Sequence, residues 1–234
     1  MSIPVIRKKL KTGIRILKEF PQHRRRYGTL HATASYLGKV NPHLWRLIGK
    51  AACQNYIRHY LDKHQTRILN LGGGSNCINN CLTVDINPFA DAYVDITKKL
   101  PFCDNSIDAI FCEEVIEHFS LNAGIVILRE CRRILKPGGI LRIITPNLDW
   151  FAKRLSQSVA VCDEINLVFY GHGHRYLYTQ KRLEDCCKKV GFTNLAKSSY
   201  RDPDSNLGYL DSHCSRYDQP PERSQYLEMS KISC

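Results

Sequence analysis

The sequence predicts an α/β fold in which a mostly parallel sheet is covered by helices and closed at its C-terminal edge by an antiparallel pair. Three observations predict it. Short β-rich runs alternate with helix-period segments from residue 67 onward. The last two β-rich runs follow one another with no helix between them, and such a connection joins antiparallel strands. The chain is 43% apolar, enough for a sizeable core, yet no apolar run nears the roughly 18 residues of a membrane span.

The elements follow in order. Asn41-Pro42 is a helix start, an N-cap before proline at the first helical position. The helix runs to about His64 with an apolar stripe of Leu44, Ile48, Ala52, Tyr56 and Tyr60. Five strands are then expected: RILNLG (67–72), CLTVDI (81–86), AYVDI (92–96), IDAIFCEEV (107–115) and ILRIITP (140–146). A helix over 121–135 precedes the fifth strand, and Leu135-Lys136-Pro137-Gly138-Gly139 reads as its stop signal. A second helix over 179–190 leads into FTNLAKSSY (192–200) and QYLEMSKIS (225–233). Only 10 residues separate Leu71 from Leu82, so the first crossover helix is a single turn or absent.

The net charge of +12 is uneven. Residues 1–67 carry 15 Lys and Arg against Glu19 and Asp62, while residues 68–234 carry 19 against 20 acidic residues. The basic excess therefore belongs to the N-terminal region. Ile6, Leu10, Ile14 and Leu17 share one face of a helix otherwise lined by Lys8, Lys9, Lys11, Arg15 and Lys18, with Arg24-Arg25-Arg26 beyond. Three readings are open for it: a solvated helix packed on its own domain, a helix lying on anionic membrane, or a nucleic-acid contact. The N-terminus carries no small-residue cleavage site of a secretory signal.

The 11 cysteines are an odd number with no paired zinc spacing, and several fall in segments that read as buried. Free thiols in a reducing compartment are expected, hence a cytoplasmic protein.

Chemistry concentrates at strand ends. Asn70-Leu71-Gly72-Gly73-Gly74-Ser75 ends the first strand, and glycines there let a ligand lie against main-chain amides. Asp85 ends the second strand, where a carboxylate can accept two hydrogen bonds from a ribose diol or cap the following turn. Asp95 ends the third, placing a further acceptor at the same edge. A nicotinamide dinucleotide site is excluded, because Cys77 occupies the position its fingerprint reserves for glycine and Asp85 follows Gly72 by only 13 residues.

NLGGG, TVDINP, VDITKKLPFCDNSIDAIFCEEVIEH and LRECRRILKPGGILRIITPN, in this order and spacing, resemble the class I S-adenosylmethionine-dependent methyltransferases. The nearest branch is the type-11-like group, including methyltransferases of bacterial surface-glycan biosynthesis. The resemblance covers residues 67–147 closely and 170–234 more loosely, and it implies a Rossmann-like, doubly wound, seven-stranded sheet; residues 41–234 are expected as this domain and residues 1–40 as a basic amphipathic extension. It implies S-adenosyl-L-methionine as cofactor, with Gly72, Gly73 and Gly74 under its methionine part and Asn70 near its ammonium. Asp85, with Ile86 beside it, would bind the ribose, Asp95 with Ile96 would border the adenine, and Glu113 and Glu114 would face the transferred methyl. Asn70 stands where many members carry an acid, and Asn76 where many carry glycine.

The stretch Tyr170-Gly-His-Gly-His-Arg-Tyr-Leu-Tyr-Thr179 gathers two histidines, an arginine and three tyrosines in a loop before the second helix. If the acceptor is a hydroxyl, a base must take its proton, and Glu114, His174 and His172 are the candidates in that order. His118 in VIEHF is a further candidate for substrate contact. No metal site is expected, because His172 and His174 lack an evident third ligand. The resemblance favours a sugar hydroxyl of a surface glycan or its lipid-linked precursor, and the basic amphipathic N-terminus fits a cytoplasmic enzyme working at the inner membrane face. An RNA methyltransferase and a catalytically degenerate binding protein of the same fold are the alternatives.

Overall fold

A computed structural model of the chain describes Thr33, Leu37 and residues 41–155 and 158–232. The expected amphipathic helix over residues 1–26 lies outside the described residues. The chain forms two compact units, one of residues 1–65 and 73–95 and the other of residues 66–72 and 96–234.

In the first unit, α1 (Pro42–Lys63) begins at the proline that the sequence marks. Among its described side chains Ala52, Cys53, Ile57 and Tyr60 are buried, so Ala52 and Tyr60 of the expected stripe are covered while Ile48 is exposed. Strands β2 (Cys81–Asp85) and β3 (Ala92–Tyr93) pair in parallel, Val84 opposite Ala92. The Tyr93 amide donates to Cys53 Sγ at 3.2 Å and Tyr60 Oη donates to the Asn80 carbonyl at 3.1 Å, fastening α1 to this unit. The third strand is shorter than the expected 92–96 run. The segment between Leu71 and Cys81 holds turns and no helix, as its length requires.

In the second unit, β1 (Ile68–Leu71), β4 (Ile107–Glu113) and β5 (Leu135–Pro146) are parallel neighbours, and β7 (Ser224–Lys231) lies antiparallel between β5 and β6 (Phe192–Ser198). The seven strands thus make the mixed α/β fold with an antiparallel C-terminal pair. Helix α2 (Leu121–Ile134) is capped by Ser120 and buries Gly124, Ile127, Leu128, Cys131 and Ile134, an apolar stripe at helical spacing. Helix α5 (Gln180–Val190) is capped by Thr179, whose hydroxyl accepts from the Arg182 amide, and it ends at Gly191 with φ 94°. Between them lie α3 (Leu148–Arg154) and α4 (Ala160–Asn166), where Phe151, Val161 and Val168 build a separate small core. Neither helix was expected from the sequence.

The Leu135–Gly139 run stops α2 at Ile134, as expected, with Leu135 as its C-cap. It belongs to β5 and bulges, because Ile107 faces Leu135 while Ala109 faces Ile140. Gly138 adopts φ 76°, and a Cβ on Gly139 would stand 2.8 Å from the Lys136 carbonyl oxygen. The glycines therefore serve a bulge rather than a helix cap. The 10 described cysteines among the 11 are free, and burial pushes the Cys53 and Cys131 thiols up to about 12.

One ion pair binds the C-terminal excursion to the sheet. Arg142 on β5 has no exposed surface and meets Asp211 twice, Nε to Oδ1 at 2.8 Å and Nη2 to Oδ2 at 2.6 Å. Its remaining protons reach Ser198 Oγ, Ser205 Oγ and the Ser199 carbonyl. Replacing Asp211 with alanine strands this charge in the core and should cost about 3–5 kcal/mol. Urea unfolding will show a lower midpoint at unchanged m-value; a midpoint equal to wild type would mean the pair is not structural.

Candidate active site

In the first unit, the Asp85 carboxylate accepts from the Gly74 amide at 3.0 Å and from the Asn87 amide at 2.7 Å. Each oxygen is used once and keeps an acceptor position, so turn capping and a ligand diol are compatible at this residue. Gly74 has φ 58°, a conformation that favours glycine. Asp95 is half-buried beyond the short β3, and Ile86 is 46% exposed. Gly73 is half-buried in the same turn.

In the second unit, Asn70 is buried in β1, Ile96 is buried and Gly72 follows the strand with φ 71°. A Cβ on Gly72 would meet Val115 Cγ1 at 2.6 Å, so glycine is required here by space as well as by φ.

Glu113 behaves differently from its expected role. Its Oε1 accepts from the Ser212 and His213 amides at 2.8 and 2.9 Å, and its Oε2 accepts from Ser212 Oγ at 2.9 Å and Arg216 Nη2 at 2.6 Å. All four acceptor positions are spent. Glu113 anchors the short helix α6 (His213–Tyr217) to the end of β4 and does not present a free carboxylate to a methyl group. Ser212 and Arg216 were not legible as its partners, since they lie about a hundred residues away in sequence.

The next residue turns the chain. Glu114 adopts φ 54°, rare for a residue with a side chain, and its amide donates to the Ile144 carbonyl at 2.8 Å. Its Oε1 accepts from Ser224 Oγ at 2.9 Å and lies 4.0 Å from His213 Nε2. Burial, reinforced by the neighbouring Glu117 carboxyl, pushes its pKa up to about 8. Glu117 sits one turn on, fully buried in the 3-10 turn Ile116–His118, and burial raises it to about 7. Thr145 Oγ1 donates to Glu117 Oε2 at 2.8 Å, whereas Glu117 Oε1 has no hydrogen-bond partner.

The histidine loop folds back over this turn. The Arg175 and Tyr176 amides both donate to the Glu117 carbonyl, at 2.7 and 3.1 Å. This places buried His174 with Nε2 at 3.9 Å from Glu117 Oε1, and its Nδ1 finds no partner. Burial, with His118, His172 and His213 nearby, lowers His174 to about 4. The His118 ring meets it edge-on at 4.6 Å, while His172 is exposed at 5.6 Å. Of the three expected bases, Glu114 and His174 therefore belong to one cluster with Glu117 and His118, and His172 lies at its rim. Against the expectation of no metal site, Glu117, His118 and His174 offer donor atoms all within 4.8 Å of one another. Glu117 went unread, although it stands between Glu114 and His118, both singled out in the sequence.

Residues 75–143 match the family model described as a methyltransferase domain. Among solved structures, the chain is similar to an S-adenosylmethionine-dependent methyltransferase from Archaeoglobus fulgidus, with TM-score 0.50 and 15% identity over 80% of this chain and 94% of that one. A Thermotoga maritima S-adenosylmethionine-dependent methyltransferase, described as a possible histamine N-methyltransferase, gives 0.47 and 17% over 80% and 99%. Phosphoethanolamine N-methyltransferase 2 of Haemonchus contortus, in complex with S-adenosyl-L-methionine, gives 0.47 and 16% over 77% and 53%. No curated protein sequence matches the chain. Residues 75–143 thus match a methyltransferase-domain model, and the chain shares its fold with the Archaeoglobus fulgidus structure.

The raised pKa of Glu114 carries a sign for stability. The unfolded chain ionises this carboxyl near 4.5 and the folded chain only near 8, so the unfolded state sheds the proton first. Stability is present at acid pH and is lost as pH rises through this window. In Glu114→Gln the melting temperature should fall less steeply across it than in wild type. Parallel slopes would show that Glu114 is not the buried neutral acid.

Proposed function

We propose that this chain transfers the methyl group of S-adenosyl-L-methionine to a hydroxyl of a small-molecule or glycan acceptor. The observation that carries this reading is Glu114, a carboxyl at the end of β4 that burial poises near neutrality, on strained backbone. S-adenosyl-L-methionine would supply the methyl group to the acceptor oxygen by in-line displacement, its sulfur becoming a neutral thioether, and Glu114 in its ionised form would take the hydroxyl proton. The sulfonium is already a good leaving group, so positioning and exclusion of water supply most of the acceleration. Ser224, donating to Glu114 Oε1, holds the base in place. The low basicity of His174 leaves it a weaker candidate than Glu114.

For the cofactor, the open acceptor positions of Asp85 support its expected role at the ribose, and Gly72, Gly73 and Gly74 support a backbone cradle. Asn70, Ile86, Asp95 and Ile96 remain in the proposed cofactor set, and Glu113 contributes by holding α6. No helix of the described residues is long and apolar enough to cross a membrane. The basic apolar stripe of residues 1–26 supports a peripheral contact with anionic lipid beside a lipid-linked glycan acceptor.

Calorimetry should show binding of S-adenosyl-L-methionine, and Asp85→Ala should weaken it by about 2–3 kcal/mol, roughly 30- to 150-fold. Glu114→Gln should keep cofactor affinity and lose about 10²- to 10⁴-fold in transfer rate. Absence of cofactor binding in the wild type would end the methyltransferase reading.

The full chain should also sediment with anionic vesicles, and Leu10→Ser with Leu17→Ser should weaken that binding at unchanged charge. If folded RNA binds more tightly than vesicles at physiological salt, an RNA acceptor replaces the glycan.

A further inference from the structure

We infer that Glu117, His118 and His174 form a binding site for a divalent first-row transition-metal cation. The site rests on geometry and unmet bonding, and it stands independently of the methyl-transfer reading. One carboxylate oxygen and one ring nitrogen from each histidine lie within 4.8 Å of one another. Two imidazoles and a carboxylate are a common donor set for Zn²⁺, Mn²⁺, Fe²⁺ and Co²⁺.

Two buried atoms in this cluster receive no hydrogen bond from a fixed donor. Glu117 is fully buried, with Oε1 left to the neighbouring Glu114 carboxyl, and His174 is 7% exposed, with Nδ1 unmet. An unpaired buried polar atom costs about 1–3 kcal/mol, and each is the kind of atom that ligates a cation. The other Glu117 oxygen is held by Thr145, and the backbone around both residues is pinned by the Arg175 and Tyr176 amides on the Glu117 carbonyl. Carboxylate and imidazole are therefore positioned by bonds that do not use their free donor atoms.

The distances allow closure. Metal–nitrogen and metal–oxygen bonds of about 2.0–2.2 Å hold two ligands no more than about 4.4 Å apart. All pairs lie within 4.8 Å, so tetrahedral closure needs at most about 1.3 Å of adjustment. His118 can supply it, since its side chain is exposed while its two partners are packed. Three protein ligands leave a coordination position on the exposed His118 side, which water or an oxygen of a bound acceptor would fill.

The test uses the full chain, stripped with chelator and titrated with Mn²⁺ by calorimetry and with Co²⁺ by absorption. Mn²⁺ discriminates against the cysteine thiolates, and a Co²⁺ spectrum without a sulfur charge-transfer band does the same. One saturable site is expected. His118→Ala and Glu117→Gln should each weaken it by about 10- to 100-fold. His59→Ala, on the exposed face of α1, should bind as wild type. Circular dichroism and melting check each variant, and His118→Ala alters an exposed side chain, so it remains informative if Glu117→Gln unfolds. Loss of the site in folded His118→Ala with retention in His59→Ala supports the inference. No saturable uptake by wild type, or equal binding by wild type and folded His118→Ala, overturns it. Cofactor binding, measured in parallel, reports on methyl transfer separately.

Discussion

The buried Arg142–Asp211 pair is the constraint on which the functional end of the second unit depends. Arg142 occupies an interior position of β5 with no exposed surface, so its charge must be met entirely by protein. Asp211 supplies two hydrogen bonds, and Ser198, Ser199 and Ser205 supply the rest. Meeting that demand draws the whole 198–211 excursion against the sheet. Hydrophobic burial alone would have left this polar segment without a fixed register, because most of its side chains gain little by leaving water.

With Asp211 placed, the next residues fall where Glu113 needs them. Ser212, His213 and Arg216 saturate the Glu113 carboxylate, and the end of β4 is thereby tied to α6. Arg142 and Glu113 are opposite charges on neighbouring strands, each answered by the same C-terminal segment. That segment in turn brings His213 within 4.0 Å of Glu114. A structural carboxylate and a chemically poised one thus sit side by side in sequence, distinguished only by their surroundings. Glu113 has four donors and no acceptor position left, whereas Glu114 has one donor and a desolvated setting.

Desolvation is the common cause of the cluster's chemistry. Glu114 and Glu117 are pushed toward neutrality because the turn after β4 buries both, and His174 is pushed down by the same burial. In an exposed loop the same residues would titrate near their ordinary values and carry no particular reactivity. The histidine loop achieves this burial through backbone bonds, the Arg175 and Tyr176 amides on the Glu117 carbonyl, so its glycines and tyrosines matter as a frame.

Periodicity and turn chemistry were enough to read the strands of the sheet, the helices at 42, 121 and 180, and the antiparallel C-terminal pair. These are local signals: Ser120 and Thr179 mark helix starts by bonds made within a few residues, and Pro42 opens α1. Asp85 stands out in the sequence as a strand-tip carboxylate, since ligands in open α/β sheets collect at strand ends, whereas Glu114 is singled out only through the family resemblance. Tertiary structure alone decided the bulge at Leu135–Gly139, where five residues of β5 face two of β4. It alone assigned Glu113 to α6, across a hundred residues of sequence. It also joined Glu117 and His118 to His174, which only the folding-back of residues 169–176 brings together. A carboxylate's role depends on which donors reach it and how much water remains, and both are properties of the packed chain rather than of its neighbours in sequence.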